Sequence, residues 1–358
     1  MKILIVIMFS FFILMSNASA IGASSYVVMD SDSKTVLLGE SIHDQRLIAS
    51  ISKIMTCIIA IENANLNQIV EVDKSILKGI GSSIYIEIGE KITLKDLLYG
   101  MMLRSGNDAA ILIANVVSGD MVKFSQLMNE YAQKIGMKNT FFYNSHGLEE
   151  PSGQGNTSSA YDMALLTSYA MKNKTFREIF KTKNYSAKSD KKTYTWQNKN
   201  RLLKYDYITG GKTGYTQKAK RTLVTTATIN EMNLIVVTLN DGNDWQDHLD
   251  LYEKIKNTYK SIKIISKDDF EIIDDVIYAK DTLYIQNDVK ILLKNEDTNF
   301  LKIKYFLTKK NNYQNNEKIG SANIYLKEHL LYTEPIYIKK GQKTAQNFWG
   351  KLIKKLFG

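Results

Sequence analysis

With 358 residues, 44% of them hydrophobic, the chain is long enough to bury a full core and to form more than one domain, which excludes a disordered polymer. Its single cysteine, Cys57, excludes an internal disulfide, and its four histidines, His43, His146, His248 and His329, show no paired spacing such as H-E-x-x-H, which argues against a zinc hydrolase. The formal charge is +10, and no metal or cofactor is expected.

The chain opens on "MKILIVIMFSFFILMSNASA", with Lys2 as its one charge, an apolar run from Ile3 to Met15 and a small-x-small ending at Ala18-Ser19-Ala20. This predicts a signal peptide, residues 1–20, cut after Ala20. The run is short for a membrane span, which needs about 20 residues, and an uncleaved anchor is the alternative. Either reading puts the remainder on the outer side of the membrane. Removing Lys2 leaves a charge of +9. Outside the cytoplasm that charge suits anionic envelope polymers or lipid head groups, and nucleic acid is not an expected partner.

Next, "SYVVMDSDSKTVLLG" predicts strand, turn and strand, with the turn at Asp30 to Lys34. Ile51, Ile54, Met55 and Ile58 then recur at i, i+3, i+4 and i+7, which predicts a helix beginning at Ser50 with one strongly apolar face. Cys57 falls inside this pattern as a buried thiol. The spacing Ser-x-x-Lys occurs four times, at Ser31/Lys34, Ser50/Lys53, Ser75/Lys78 and Ser189/Lys192. Only Ser50 combines a helix start with a rigid apolar support, and residues i and i+3 share a helix face, so Ser50 and Lys53 can point into one cleft. A lysine there can activate a serine only if it is neutral.

Thr93 to Lys138 is mainly helical, broken by the turn "RSGND" at Arg104 to Asp108. "NTSSAYD" starts another helix, with Ser158 or Ser159 as its cap and an end near Met171. After a polar stretch, "TGGKTGYT", "RTLVTTATI" and "NLIVVTLN" predict successive antiparallel strands. Lys212 in the only Lys-Thr-Gly could serve as the second cation that keeps Lys53 neutral, and glycines 210, 211 and 214 let a strand approach a ligand. From about residue 262 the pattern turns to strand period, predicting a small β domain. In the tail "GQKTAQNFWGKLIKKLFG", apolar residues gather on one helical face and lysines on the rest. This predicts an amphipathic helix, lying in a membrane interface or packed on its own protein.

Ser50/Lys53, then Ser105-Gly106-Asn107 between helices, then Lys212-Thr213-Gly214 on a strand resemble the active-site triplet of penicillin-binding proteins and serine β-lactamases. "ASISKIMT", "MMLRSGNDAA", "NSHGLEEPSG", "TSSAYDMA", "WQNKNRLL", "GGKTGYT" and "LVTTA" further resemble the secreted D-alanyl-D-alanine carboxypeptidases, over roughly residues 25 to 240. The resemblance implies an α/β (α+β) catalytic domain, residues 21–260, with a central antiparallel sheet flanked by helices. It also implies a small β-rich domain, residues 261–340, and an anchor helix, residues 341–358.

It further implies that Ser50 attacks the penultimate D-alanine of peptidoglycan stem peptides, with Lys53 as proton acceptor and Ser105 as proton relay. Asn107 would hold the substrate amide, Lys212 supply positive potential and Thr213 bind the terminal carboxylate. Backbone N–H groups of Ser50 and Tyr215, beside Gly214, would form the oxyanion hole. β-Lactams would acylate the same serine. A cross-link endopeptidase, a serine β-lactamase and a β-lactam sensor are the alternatives; Glu149 and Glu150 lack the E-x-x-L-N context of a class A enzyme. Three positions depart from the family: Ile48 for a usual proline, Ser52 for a common threonine and Lys220 for a usual glycine. His146 is expected to be structural.

Overall fold

The structure, a computed structural model, describes residues 21–150, 152–272, 277–278, 280–294 and 296–341. The expected signal peptide and all but Gly341 of the expected tail helix lie outside the described residues. Among those described, no helix is long and apolar enough to cross a membrane.

A five-stranded antiparallel sheet forms the frame. Its strands are β1 (Ser25–Asp30), β2 (Val36–Glu40), β3 (Ile208–Thr216), β4 (Lys220–Ile229) and β5 (Met232–Leu239), in the order β2-β1-β5-β4-β3. The sheet is buried on both faces, so each strand splits its side chains between two cores. Val27 and Met29 of β1, Val224 of β4 and Ile235 and Val237 of β5 face one core; Tyr26, Val28, Leu223, Leu234 and Val236 face the other. The register that aligns them pairs Val27 with Val237 and Val224 with Lys212.

The larger core is closed by α1 (Lys53–Asn63), α2 (Leu94–Arg104), α3 (Asn107–Ser118), α4 (Met121–Ile135), α5 (Ala160–Ala170) and α6 (Lys174–Lys181), and α7 (Asp244–Thr258) covers the second face. The helix starts follow ordinary caps: Thr93, Asp120 and Ser159 each accept an N–H from the first turn of the helix they precede. Ser159 settles which of the two expected serines caps α5.

The predicted stripe on α1 understates its burial. Every residue from Ile51 to Ala60 is buried, Cys57 among them, so α1 is the central helix rather than a surface one. Its start also differs from expectation. Ala49–Ser52 is a 3-10 turn, and regular helix begins only at Lys53. The polar stretch before β3 contains α6 and a hairpin of Asn184–Lys188 with Thr193–Gln197, packed through Tyr194 and Trp196.

A C-terminal β domain follows. Tyr259–Ile265 pairs with Val289–Lys294, and Thr282–Tyr284, His329–Lys339, Lys318–Leu326 and Leu301–Leu307 form a four-stranded sheet in that order. Its own core includes Leu283, Val289, Ile291, Ile324, Ile336 and Ile338.

Candidate active site

The site lies where the 3-10 turn, the α2–α3 turn and strand β3 converge. Ala49 adopts φ +47, a left-handed conformation unusual for a residue with a side chain. The turn is held by three contacts: the Ser52 hydroxyl donates to the Ala49 carbonyl (2.7 Å), Thr222 of β4 to the Ile48 carbonyl (3.0 Å), and the Ile48 N–H to the Asn156 carbonyl (3.1 Å). The last contact explains one departure from the family pattern. Ile48 has φ −110 and a bonded N–H, and proline can supply neither.

The turn presents Ser50 to Lys53. Lys53 is fully buried, with Nζ 3.0 Å from Ser50 Oγ, 2.7 Å from Asn107 Oδ1 and 2.5 Å from the His146 carbonyl. Burial first, then the charges of Lys212 and Lys199, hold its ammonium well below the usual lysine range, against a smaller opposing pull from Asp108. Asn107 Nδ2 donates to the Ile80 carbonyl (2.5 Å), so this carboxamide bridges Lys53 and the segment before α2. Asp108, the next residue, fixes that segment by accepting from Ser83 Oγ and from the backbone N–H groups of Ile84 and Tyr85.

Ser105 ends α2 in the left-handed region, φ +65, which turns its hydroxyl toward β3. There Lys212, also buried, donates to Ser105 Oγ (3.0 Å) and to the Thr213 carbonyl (2.7 Å). Burial and the nearby Lys199 push its pKa down to about 7. Two further residues of β3 face the groove, Thr213 and Gly214, followed by the exposed Tyr215. Gly214 is required by proximity: a Cβ there would sit 3.0 Å from the Ser50 amide nitrogen and 3.2 Å from the Ile48 carbonyl.

All eight residues singled out from the sequence therefore meet in one place. Five of them, Ser50, Ser105, Thr213, Gly214 and Tyr215, line a groove of about 550 Å³, and Lys53, Asn107 and Lys212 are buried. Six other lining residues were not anticipated: Ser82, Lys199, Arg201, Arg221, Asp244 and Trp245. Arg221 pairs with Asp244 and lies over the Trp245 ring, 5.4 Å from its centroid. No motif marks it in the sequence; the register that sets it directly across from Tyr215 exists only in the folded sheet. The groove carries more positive than negative charge, which suits a carboxylate.

His146, Glu149 and Glu150 each have defined partners. The imidazole of His146 accepts from the Leu148 N–H (3.2 Å), and burial, then Lys53, push it down to about 3, so it stays neutral. Glu149 accepts from Thr216 (2.5 Å) and Glu150 from Asn144 (2.8 Å). Among the described residues no group of three or more histidine, cysteine or acidic side chains is arranged to hold a metal ion.

Residues 14–243 match the family described as D-alanyl-D-alanine carboxypeptidase, Peptidase S11. The chain belongs to this family. Residues 259–344 match the C-terminal domain of penicillin-binding protein 5, so this D-alanyl-D-alanine carboxypeptidase family member carries both parts. It is 35% identical over 223 residues to the D-alanyl-D-alanine carboxypeptidase DacF of Bacillus subtilis, a match covering 60% of this chain and 56% of that protein. It is 27% identical over 342 residues to DacD of Salmonella typhimurium, covering 88% and 85%. Among solved structures, penicillin-binding protein 5 of Haemophilus influenzae superimposes with a TM-score of 0.73 at 25% identity, over 90% of this chain and 98% of that one. The fold is thus that of the penicillin-binding proteins, and the enzyme class is that of the serine-type carboxypeptidases.

The family's usual glycine at position 220 also has a structural reason. Lys220 adopts φ +57, a conformation that glycine occupies without strain. Gly147 is a position this chain has kept. It has φ +89, and a Cβ there would collide with the Ala49 carbonyl. Gly147→Ala is expected to displace the nucleophile turn, slowing acylation by fluorescent penicillin by about 10²-fold, as a misplaced nucleophile does. Strain of about 1–3 kcal/mol should lower the melting temperature as well. Stopped-flow labelling beside a thermal melt measures both.

Proposed function

We propose that this protein is an exported serine D-Ala-D-Ala carboxypeptidase that removes the terminal D-alanine from peptidoglycan pentapeptide stems. The observation that carries the reading is the environment of Lys53. A neutral amine offers two N–H donors and one lone pair, and Lys53 has three partners: Asn107 Oδ1, the His146 carbonyl and Ser50 Oγ. With its N–H groups given to the two acceptors that cannot donate, its lone pair is left for the hydroxyl proton of Ser50. That is the arrangement of an activated nucleophile.

In this mechanism Ser50 Oγ attacks the carbonyl carbon of the penultimate D-alanine as its proton moves to Lys53. The oxyanion is received by the N–H groups of Ser50 and Tyr215. As the C–N bond breaks, the proton reaches the departing amine by way of Ser105, whose hydroxyl bridges toward Lys212. Lys212 supplies positive potential and Thr213 binds the terminal carboxylate, with Arg201 and Arg221 at the same groove. Asn107 acts here chiefly by positioning Lys53, in addition to the contact with the substrate amide suggested by the family pattern. Water then cleaves the acyl ester. A β-lactam opens its ring on the same Ser50, which makes the protein penicillin-binding.

The competent state has Lys53 neutral and Lys212 charged, which fixes the sign of the pH dependence. Protonation of Lys53 closes the acid side of kcat/KM. Deprotonation of Lys212, from about pH 7 upward in the free enzyme, closes the alkaline side. Lys212→Arg keeps the charge, so the alkaline limb should move up by more than one pH unit while the acid limb stays. An unmoved alkaline limb would remove Lys212 from this role.

Residues 21–260 would form the catalytic unit and 261–340 a spacer, with 1–20 removed on export and 341–358 lying in the membrane interface. The apolar face that helical spacing gives Phe348, Trp349, Leu352, Ile353, Leu356 and Phe357 supports the last assignment. Deleting residues 346–358 is expected to release the protein from anionic vesicles in a flotation assay, with D-alanine release unchanged; continued binding would refute the anchor. The decisive test of the activity is D-alanine release from a pentapeptide ending in D-Ala-D-Ala.

A further inference from the structure

Three buried aspartates lie at and just before the start of α7, two of them within reach of Gly22 and the third paired with Arg221. Asp241, Asp244 and Asp247 are 1%, 2% and 2% exposed. Asp244 is taken by Arg221. Asp247 Oδ2 accepts the Gly22 N–H at 2.6 Å. Asp241 Oδ1 accepts the Asn243 N–H (2.8 Å), whereas its Oδ2 is buried without a hydrogen-bond partner. The Thr238 hydroxyl nearby is engaged with His248 Nε2 (3.2 Å), and burial keeps that imidazole neutral.

An unmatched carboxylate oxygen beside a second buried carboxylate is costly unless a cation arrives. Burial, with the neighbouring Asp247 and Asp244 charges adding to it, pushes Asp241 up to about 6 against the opposing pulls of its Asn243 contact and the Thr238 hydroxyl. Arg221 is already committed, and a metal ion has no such donor set among the described residues.

One cation is available by processing. Gly22 is within reach of both carboxylates: a Cβ built on it lies 3.4 Å from Asp247 Oδ2 and 3.7 Å from Asp241 Oδ1. The nitrogen of Ile21 is one residue away, about 3–4 Å along the chain. The Ile21 side chain packs against the second core, which would hold a new terminus in place. We infer that Asp241 and Asp247 form a built-in receptor for the α-ammonium of Ile21, created when residues 1–20 are removed. This rests on the export reading above. Because Asp244 and Trp245, in the same turn of α7, hold Arg221 at the groove, the new ion pair would brace one wall of the active site only in the processed chain.

The test uses the chain from Ile21 to Gly358 and the protein exported by its own leader. An intact mass of the exported protein that begins elsewhere than Ile21 overturns the inference through its premise. In the Ile21 chain, the α-amine pKa, followed by pH-dependent acetylation, is expected at least one unit above the usual value of about 7.7–8.0. Asp241→Asn, which keeps the Asn243 contact, should lower it toward the usual value, with Asp247 left as the remaining carboxylate. A Gly-Ser extension before Ile21 should lower the melting temperature of the parent chain more than that of Asp241→Asn. An ordinary α-amine pKa in the parent, or an equal effect of the extension on both chains, overturns the inference while leaving the carboxypeptidase assay to judge the activity separately.

Discussion

Ser50→Ala is expected to abolish D-alanine release, by a factor of about 10⁴ or more, together with all covalent labelling by fluorescent penicillin. The size follows from what is lost. The remaining oxyanion N–H groups and the cationic groove still bind the peptide, but no atom is left within bonding reach of its carbonyl. The methyl of alanine fits the space of the hydroxymethyl, and Ser50 makes only a 3.5 Å contact with the His146 carbonyl besides that with Lys53, so the fold should be retained. A normal thermal melt with no labelling is the expected pair of results. Labelling that survives at another serine would sink the assignment and reopen the three other Ser-x-x-Lys pairs.

Lys53→Arg is expected to cost about 10³-fold in acylation rate even though the length of the side chain is nearly kept. A guanidinium is always protonated and has no lone pair for the Ser50 proton. It would also face a dry pocket holding only Asn107, the His146 carbonyl and Ser50, so some loss of stability should accompany the kinetic one. The pH profile separates the two effects. In the parent the acid limb marks protonation of Lys53, and that limb should vanish in the variant at all measurable pH. An acid limb that persists would mean that another group accepts the proton.

Much of this arrangement was legible in the sequence because it depends on local period and spacing. Strands β4 and β5 announce themselves by β-branched runs, and α1 by its apolar spacing. Ser50 and Lys53 were separable from their three decoys by context alone. What escaped was set by tertiary structure. The 3-10 turn at Ala49–Ser52 exists because Thr222, Asn156 and Gly147, all distant in sequence, hold the strained Ala49 in place. The α7 segment is rich in charge, and its stripe of His248, Leu251, Tyr252 and Ile255 becomes visible as a core face only beside β4 and β5. The contacts of the Asn107 carboxamide with Lys53 and the Ile80 carbonyl also escaped, because spacing says nothing of side-chain direction.

The placement of β1 also has a kinetic meaning. It is the first strand to be made, yet it lies inside the sheet, with Ser25 paired to Leu239 across the whole catalytic region. A chain emerging N-terminus first therefore cannot close its sheet until β5 has followed, and contacts this distant are slow to form. During that interval β1 and α1 expose apolar surface, a natural opening for a chaperone to hold the chain unfolded. The nucleophile turn, wedged between β4 and the loop of Gly147, is therefore not completed before β4 has been made, so no acyl-enzyme can form ahead of it.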